Sequence, residues 1–446
     1  MGRRVFTTDG TFVAPAGVFK VRVRGIRNPP LMEGNGTANF FIDQDNDVWA
    51  VGPGSQGQLG DFSTTAKSSP VKTSGSLKFI SVSNGGGLSY PKTVGITRNG
   101  LAYSWGTNTE GGLGQNTTTV AVSVPGMVVG GLKFKKVAVS MNTSAYGLTC
   151  DGKLYAWGGN TYGQLGDNSV TNRSSPVLVV GGLTFIDVAA GDQSVIAITS
   201  AGEVYAWGRN DEGQLGIETN GPGTSKSSPV KVSVLTGTFV RVVQMGGFSY
   251  GALKSDGKVW AWGANYNGEI GDGTAGFGND KFTPVQTSQG SLIFSELYAT
   301  YDENLGGAAV IAKATNGNYY GWGANSFGQF GINDRTPRSS PVQVLTGYDF
   351  LRLNSFGNGW WAQTKNLLTY AWGGNGNGRL GDGTTAAKST PVLLSHPIYQ
   401  ADPTEFVSVL DVTPGTSYTV TLNNVIGASF GSNVIGPIVN SLIVEY

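Results

Sequence analysis

The sequence predicts an all-β chain: a seven-bladed β-propeller inserted into a small, discontinuous antiparallel β-sandwich. Three observations carry this. A Trp-Gly step or its variant recurs seven times. Each copy reads as about four short strands with glycine-rich turns and no helical period. The two ends, outside the repeats, alternate apolar and polar residues in a different texture.

The N-terminal stretch comes first. In residues 5–25, VFTTDGTFVAPAGVFKVRVRG, Val21 and Val23 alternate with Lys20, Arg22 and Arg24, as in a half-exposed strand. The repeats follow. Their marker glycines are Gly52, Gly106, Gly158, Gly208, Gly263, Gly323 and Gly373, spaced 54, 52, 50, 55, 60 and 50 residues apart. The first copy is degenerate, with Val51 in the tryptophan place. Each copy opens on a strand ending in an Asp-Gly-like turn, as in TCDGKLYAWG and KSDGKVWAWG, which is a hairpin signal. A Gly-x-Leu-Gly turn and a loop come next. The loop closes on Pro70, Pro125, Pro176, Pro229, Pro284, Pro341 or Pro391. A strand of the type LTFIDVAAG follows, and four strands in about 50 residues make one blade. In the C-terminal stretch, 405–446, Tyr418, Val420 and Leu422 alternate with Ser417, Thr419 and Thr421. Neither end suffices for a core, but together they offer about 70 residues, which does. The expected division is 1–28 with 400–446, and 29–399.

Composition narrows the function. With 446 residues and a net charge of +1, the chain has neither a basic balance for nucleic acid nor an acidic tail. No apolar run reaches about 18 residues, so no membrane insertion is expected. MGRRVFTTDGTF lacks the apolar stretch of a secretory signal, and Phe6 stands where myristoylation needs Ser or Thr. The one cysteine, Cys150, forms no internal disulfide and is expected to be buried. The one histidine, His396, allows neither a multi-histidine metal site nor a histidine-based triad. No cofactor and no metal are expected.

The repeated residues have a structural reading. Trp105, Trp157, Trp207, Trp262, Trp322 and Trp372 pack between blades, and the glycines allow positive φ and close backbone approach. VYAWGRNDEGQLG (204–216) and LYAWGGNTYGQLGD with SSPVLV resemble the repeats of the regulator-of-chromosome-condensation family. The resemblance covers about 34–395 and implies that family's seven-bladed ring. It implies no single function: members of the fold include a nucleotide-exchange factor for the Ran GTPase, a plant light receptor and a bacterial β-lactamase inhibitor. The family's frequent His-Ser pair is absent. Ser144, Ser194 and Ser249 stand there without histidine, which departs from the exchange-factor pattern. The ends, through FTTDGTFVAPAGVFKVRVRG, VTPGTSYTVTL, ASFGS and SLIVEY, resemble two halves of the glycine-rich β-domain of bacteriophage tail-fibre and tail-tip proteins. A closed ring can replace a loop of such a domain, because its own first and last strands lie together.

Three motifs are set aside. GNGRLG (376–381) fits a dinucleotide fingerprint but lies in the repeat's own turn. DQDND (43–47) starts like a calcium loop, but Val48 and Gly54 stand where Gly and Glu are required. Asp45-Asn46 is then the first blade's hairpin turn. Acids are sparse and no repeat carries a distinctive pair for glycoside cleavage, so no enzyme is expected.

Binding is expected on the loops after the FxxVxxG strands, whose residues vary from blade to blade. They are Leu88 and Tyr90; Asn142 and Tyr146; Asp192 and Gln193; Phe248 and Tyr250; Tyr301, Asp302, Glu303 and Asn304; and Trp360 and Trp361. The loop 271–284, with Phe277 near its tip, is a second candidate. The first functional reading is a bacteriophage virion protein. Its end domain attaches to other tail proteins, and its ring binds a host surface receptor, protein or glycan; homo-oligomers are compatible with this. The alternatives are a soluble protein-binding module of inhibitor or adaptor type, and a structural or decorating virion role.

Overall fold

The computed structural model describes residues 38–43, 45–87, 89–118, 121–301, 307–364, 368–395, 413 and 416. It also describes the strands at 3–6, 10–13, 20–27, 31–33, 405–411, 417–423, 427–430, 433–434 and 439–445. Seven four-stranded antiparallel sheets form the propeller. Each blade uses four consecutive strands, from centre to rim. In the fourth blade these are Phe185–Ala190, Ser194–Thr199, Val204–Gly208 and Lys226–Lys231. The second strand is buried along its whole length, because neighbouring blades cover both of its sides. The inner strands line a central cavity of about 510 Å³. Most open with a bulge after a phenylalanine, as between Phe185 and Asp187, which turns residue 186 outward.

The Trp-Gly and Gly-x-Leu-Gly residues are two halves of one joint. Trp207 is fully buried, and its indole N–H donates to the carbonyl of Gln164, in the turn of the preceding blade, at 2.9 Å. The bond recurs from Trp105 to Gln58, Trp157 to Gly112, Trp262 to Gln214, Trp322 to Glu269 and Trp372 to Gln329. Gly166 shows why the turn ends in glycine. Its φ is +65°, and a Cβ there would lie 2.8 Å from the Trp207 ring nitrogen. The asparagine after each Trp-Gly step ties the turn to its loop. Asn160 Oδ1 accepts the Leu165 N–H at 2.9 Å, and Nδ2 donates to the carbonyls of Ser169 and Thr171 at 3.1 Å. Asn108, Asn210, Asn265, Asn325 and Asn375 hold their turns in the same way.

The ring closes where this pattern fails. The first blade has Val51 for tryptophan and Gly54 for asparagine. The carbonyl of Arg379, the seventh turn's counterpart of Gln164, accepts instead the side-chain amide of Asn39. The missing aromatic comes from the other side of the joint: Trp361, in the seventh blade, stacks on Phe41 with centroids 3.8 Å apart. Both join Val51, Phe356, Leu380 and Leu394 in one buried cluster. The inner strand Leu31–Glu33 touches both Phe350–Phe356 and Phe79–Gly85, which completes the circle. Among the described strands, none of the ring is shared between the two ends of the chain.

Two faces result. One carries the hairpins between second and third strands and is termed the hairpin face; the other is the loop face. Both chain ends leave from the hairpin face. Leu31 pairs with Ile42 beside the first hairpin, and Leu393 pairs with Tyr370 beside the seventh. The terminal strands then pair with each other. Val439–Glu445 lies between Arg3–Phe6 and Lys20–Arg27, and Glu405–Asp411 adds to the latter. Gly10–Val13 pairs with Ser417–Asn423 in a second sheet.

Cys150 corrects an expectation. It is exposed, because it stands on the hairpin turn immediately before Asp151-Gly152, where the chain reverses in solvent. His396 lies outside the described residues. In the calcium-like stretch, Asp43 caps its own hairpin: Oδ1 accepts the N–H groups of Asp45 and Asp47 at 2.9 Å, and Oδ2 accepts the Trp49 indole at 2.8 Å.

Candidate functional site

Strand direction decides what the loop face holds. Inner and third strands both run toward it, so the inner-strand turn of one blade meets the Gly-x-Leu-Gly loop of the blade before. Between the second and fifth blades this gathers charged and aromatic side chains.

Arg209 is their centre. It follows Trp207-Gly208, where other blades carry Thr107, Gly159, Ala264, Ala324 and Gly374. Its guanidinium lies 5.2 Å from the ring centroid of Tyr162 and 5.3 Å from that of Phe248, within cation–π range of both. Nε donates to Asp211 at 2.8 Å, and Nη1 donates to Gln193 Oε1 at 3.2 Å. Burial opposes the charge, but the bond to Asp211 keeps the Arg209 pKa above its ordinary value. Burial lifts the neighbouring Asp192 carboxyl above its usual range, against the pull of Arg209, Asn142 and Lys92.

Lys92 lies beside Asp192, fully buried, with Nζ donating to the Asn142 carbonyl. Burial brings its pKa down to about 7, while Glu110 and Asp192 work the other way. The sequence explains its place. The turn residue is Gly112 where five of the other turns have Gln or Glu, and a Cβ on Gly112 would sit 3.3 Å from Lys92 Cδ. Lys92 occupies the room that the longer side chain vacates. Glu110 in turn accepts the Thr143 hydroxyl.

A recess of about 470 Å³ adjoins this cluster, lined by Tyr162, Val170, Asp211, Pro222 and Ser225 among others. Phe277 is 90% exposed, its ring 5.0 Å from Tyr266. A rigid cation held between rings, flanked by amides, acids and exposed apolar tips, suits recognition of another surface.

The expected binding residues divide. Asp192, Gln193 and Phe248 meet around Arg209, with Asn142 beside them. Tyr301 lines the mouth of the central cavity, and Tyr90 is 38% exposed above the second blade. Phe277 stands apart, on the fifth blade's loop. Leu88, Asp302, Glu303 and Asn304 lie outside the described residues. Tyr146, Tyr250 and Trp360 are corrected: all are fully buried between blades and present no binding surface. The Tyr146 hydroxyl donates to the Gln164 carbonyl at 2.9 Å, the Tyr250 hydroxyl pairs with that of Ser194 at 2.8 Å, and Trp360 packs in the cluster of Trp372. Trp361 is buried at the closing joint. Arg209, Tyr162, Lys92 and Glu110 escaped the sequence reading. An arginine at a position otherwise held by small residues was the available signal.

Comparison with known proteins follows the same architecture. A family model described as the RCC1-like domain matches residues 47–421. The ultraviolet-B receptor UVR8 of Arabidopsis thaliana is 28% identical over 301 residues, covering 66% of this chain and 64% of the receptor. The E3 ubiquitin-protein ligase HERC2 of Homo sapiens is 30% identical over 333 residues, covering 72% of this chain and 6% of the ligase. The matched stretch thus spans less than two thirds of either relative. Yeast RCC1 (Prp20), solved with Kap60 bound, aligns with a TM-score of 0.67 at 18% identity, covering 79% of this chain and 84% of that one. Human WBSCR16 aligns at 0.64 and 18%, covering 85% and 94%. At these identities the solved structures show the fold alone.

Proposed function

The chain belongs to the RCC1-like domain family, and from that premise we propose that it is a non-enzymatic protein-binding module whose loop face receives a protein partner. One observation carries the reading: Arg209 held between Tyr162 and Phe248 beside a recess, with Phe277 exposed on the fifth blade's loop. This face also points away from the points where both chain ends leave the ring. The partners named for the solved relatives are proteins: Kap60 for yeast RCC1 (Prp20), and Gsp1p and histones for Prp20p.

Of the readings taken from the sequence, this module is better supported than the tail protein. The relatives reported above come from a plant, an animal and yeast. The virion reading keeps one observation in its favour: N- and C-terminal strands share two sheets. We read these as one sandwich domain of 1–28 and 400–446, with the propeller at 29–399. It serves as the attachment point under either reading.

The test places a photo-crosslinking residue at Phe277 and, in a separate protein, at Cys150 on the opposite face. Crosslinked protein partners should appear at Phe277 and disappear when Arg209→Ala is added, with an unchanged melting curve. No capture at Phe277, or capture there indifferent to Arg209, would remove the loop face as the binding site; the partner lost with Arg209→Ala should not be among those captured from Cys150.

A further inference from the structure

The hairpin face carries a second surface of different chemistry. The third blade is entered on VGGLKFKKV (129–137) and the fourth on VGGLTFIDV (180–188). The frame is the same, but Lys133, Lys135 and Lys136 stand for Thr184, Ile186 and Asp187. Arg98 stands on the adjoining hairpin, whose turn has Asn99 where the third and fifth blades have Asp151 and Asp256. A β-bridge from Leu101 to Lys133 sets that hairpin against the entry loop.

Among the described residues, most other lysines of this face are neutralised; Lys258 donates instead to the carbonyls of Gly290 and Leu292. Lys72 and Lys78 bind Asp47 at 2.8 and 2.7 Å, Lys153 binds Asp151 at 3.1 Å, Lys231 binds Glu203 at 2.6 Å, and Lys254 binds Asp256 at 3.4 Å. Lys136 pairs with Asp187 of the next blade. Arg98 and Lys133 are exposed and Lys135 is half-buried. Among the described residues, no carboxylate forms an ion pair with any of these three. Lys135 is also the third blade's bulge residue. Three bulge residues of other blades, Ile186, Val240 and Leu351, are 42–50% exposed at the hairpin-face ends of their inner strands, whereas Ile80 is buried and Ser295 is polar. An unpaired cationic arc therefore borders an apolar rim.

We propose that this part of the hairpin face docks an acidic protein segment, which sets an aliphatic or aromatic side chain against the rim. The chemistry selects the occupant. Three unneutralised cations attract carboxylates and steer their approach. A nucleic acid would need a longer basic track and would leave the apolar rim unused. Docking here leaves the loop face open, so one ring can hold two proteins on opposite sides. The proposal uses none of the loop-face residues and is tested apart from them.

The probe is a fluorescein-labelled synthetic peptide rich in Glu and Asp, with central Leu and Phe, titrated against the full chain. Lys133→Thr with Lys135→Ile copies the fourth blade, so folding should be preserved; Arg98→Gln on the exposed hairpin is the second variant. Binding should weaken by at least about tenfold in the double variant, and should weaken further with added salt. Phe277→Ala should leave it unchanged. The proposal is overturned if the parent does not bind the peptide, if both variants bind it as the parent does, or if a single-stranded oligonucleotide of equal charge binds more tightly.

Discussion

Six joints of the ring are alike and the seventh is not. At each of the six, a buried tryptophan fills the space between blades and donates to a carbonyl of the preceding turn. At the closing joint the aromatic volume comes from Trp361 on the opposite blade, and the donor is Asn39. A joint therefore needs aromatic volume and a donor for the turn, and the two can be supplied by different side chains. The second blade teaches the same lesson on a smaller scale, where Lys92 fills the room that Gly112 leaves.

Removing the shared element should have the largest effect. Trp207→Ala should cost about 3–5 kcal/mol, the usual loss for a deleted buried aromatic. A urea midpoint equal to the parent's would show that the joints do not depend on the ring.

Making the closing joint resemble the others should do harm. Val51→Trp places a second large ring where Trp361 already lies, at a cost of about 1–3 kcal/mol for overpacking. Adding Trp361→Val should recover part of that loss, because the two side chains share one space. If the double variant only sums the two losses, Trp361 is no substitute for the missing tryptophan.

Lys92 gives a pH signature. Its folded pKa of about 7 lies below the ordinary 10.5, so between these values the unfolded chain binds more protons. The burden on stability is full below pH 7 and lifts as pH rises toward 10.5, by at most about 1.4 kcal/mol per unit. Unfolding midpoints compared at neutral and mildly alkaline pH should show this rise in the parent and a flatter profile in Lys92→Met. Identical profiles would mean that Lys92 is solvated.

A smaller effect should come from Asn39→Ala, which removes the side-chain amide that donates to the Arg379 carbonyl, for about 1 kcal/mol. Thr93, which donates to the Gln58 carbonyl alongside Trp105, is the control. Thr93→Val should cost less, because that carbonyl keeps its indole partner.

The blades were legible because their parts recur at fixed offsets: Trp-Gly, Gly-x-Leu-Gly and a closing proline. The direction of individual aromatics was not. Alternation tells inside from outside only where one side of a strand meets water, and the second strands are covered on both. Tyr146, Tyr250 and Trp360 therefore looked like loop residues and lie in the core. The repeated asparagine was visible in the sequence, but its role depends on a turn that exists only after folding. Arg209 was written at a small-residue position. Its two ring partners come from the third and fifth blades, which no local pattern brings together.

Each blade is made of consecutive strands, and the chain's ends pair with each other outside the ring. In genetic terms a blade is a cassette of about 50 codons that can be duplicated, lost or exchanged without re-pairing any other blade. The whole ring enters and leaves through neighbouring points on one face. Such a ring is a portable unit, one that a host gene could accept between two codons of a surface loop.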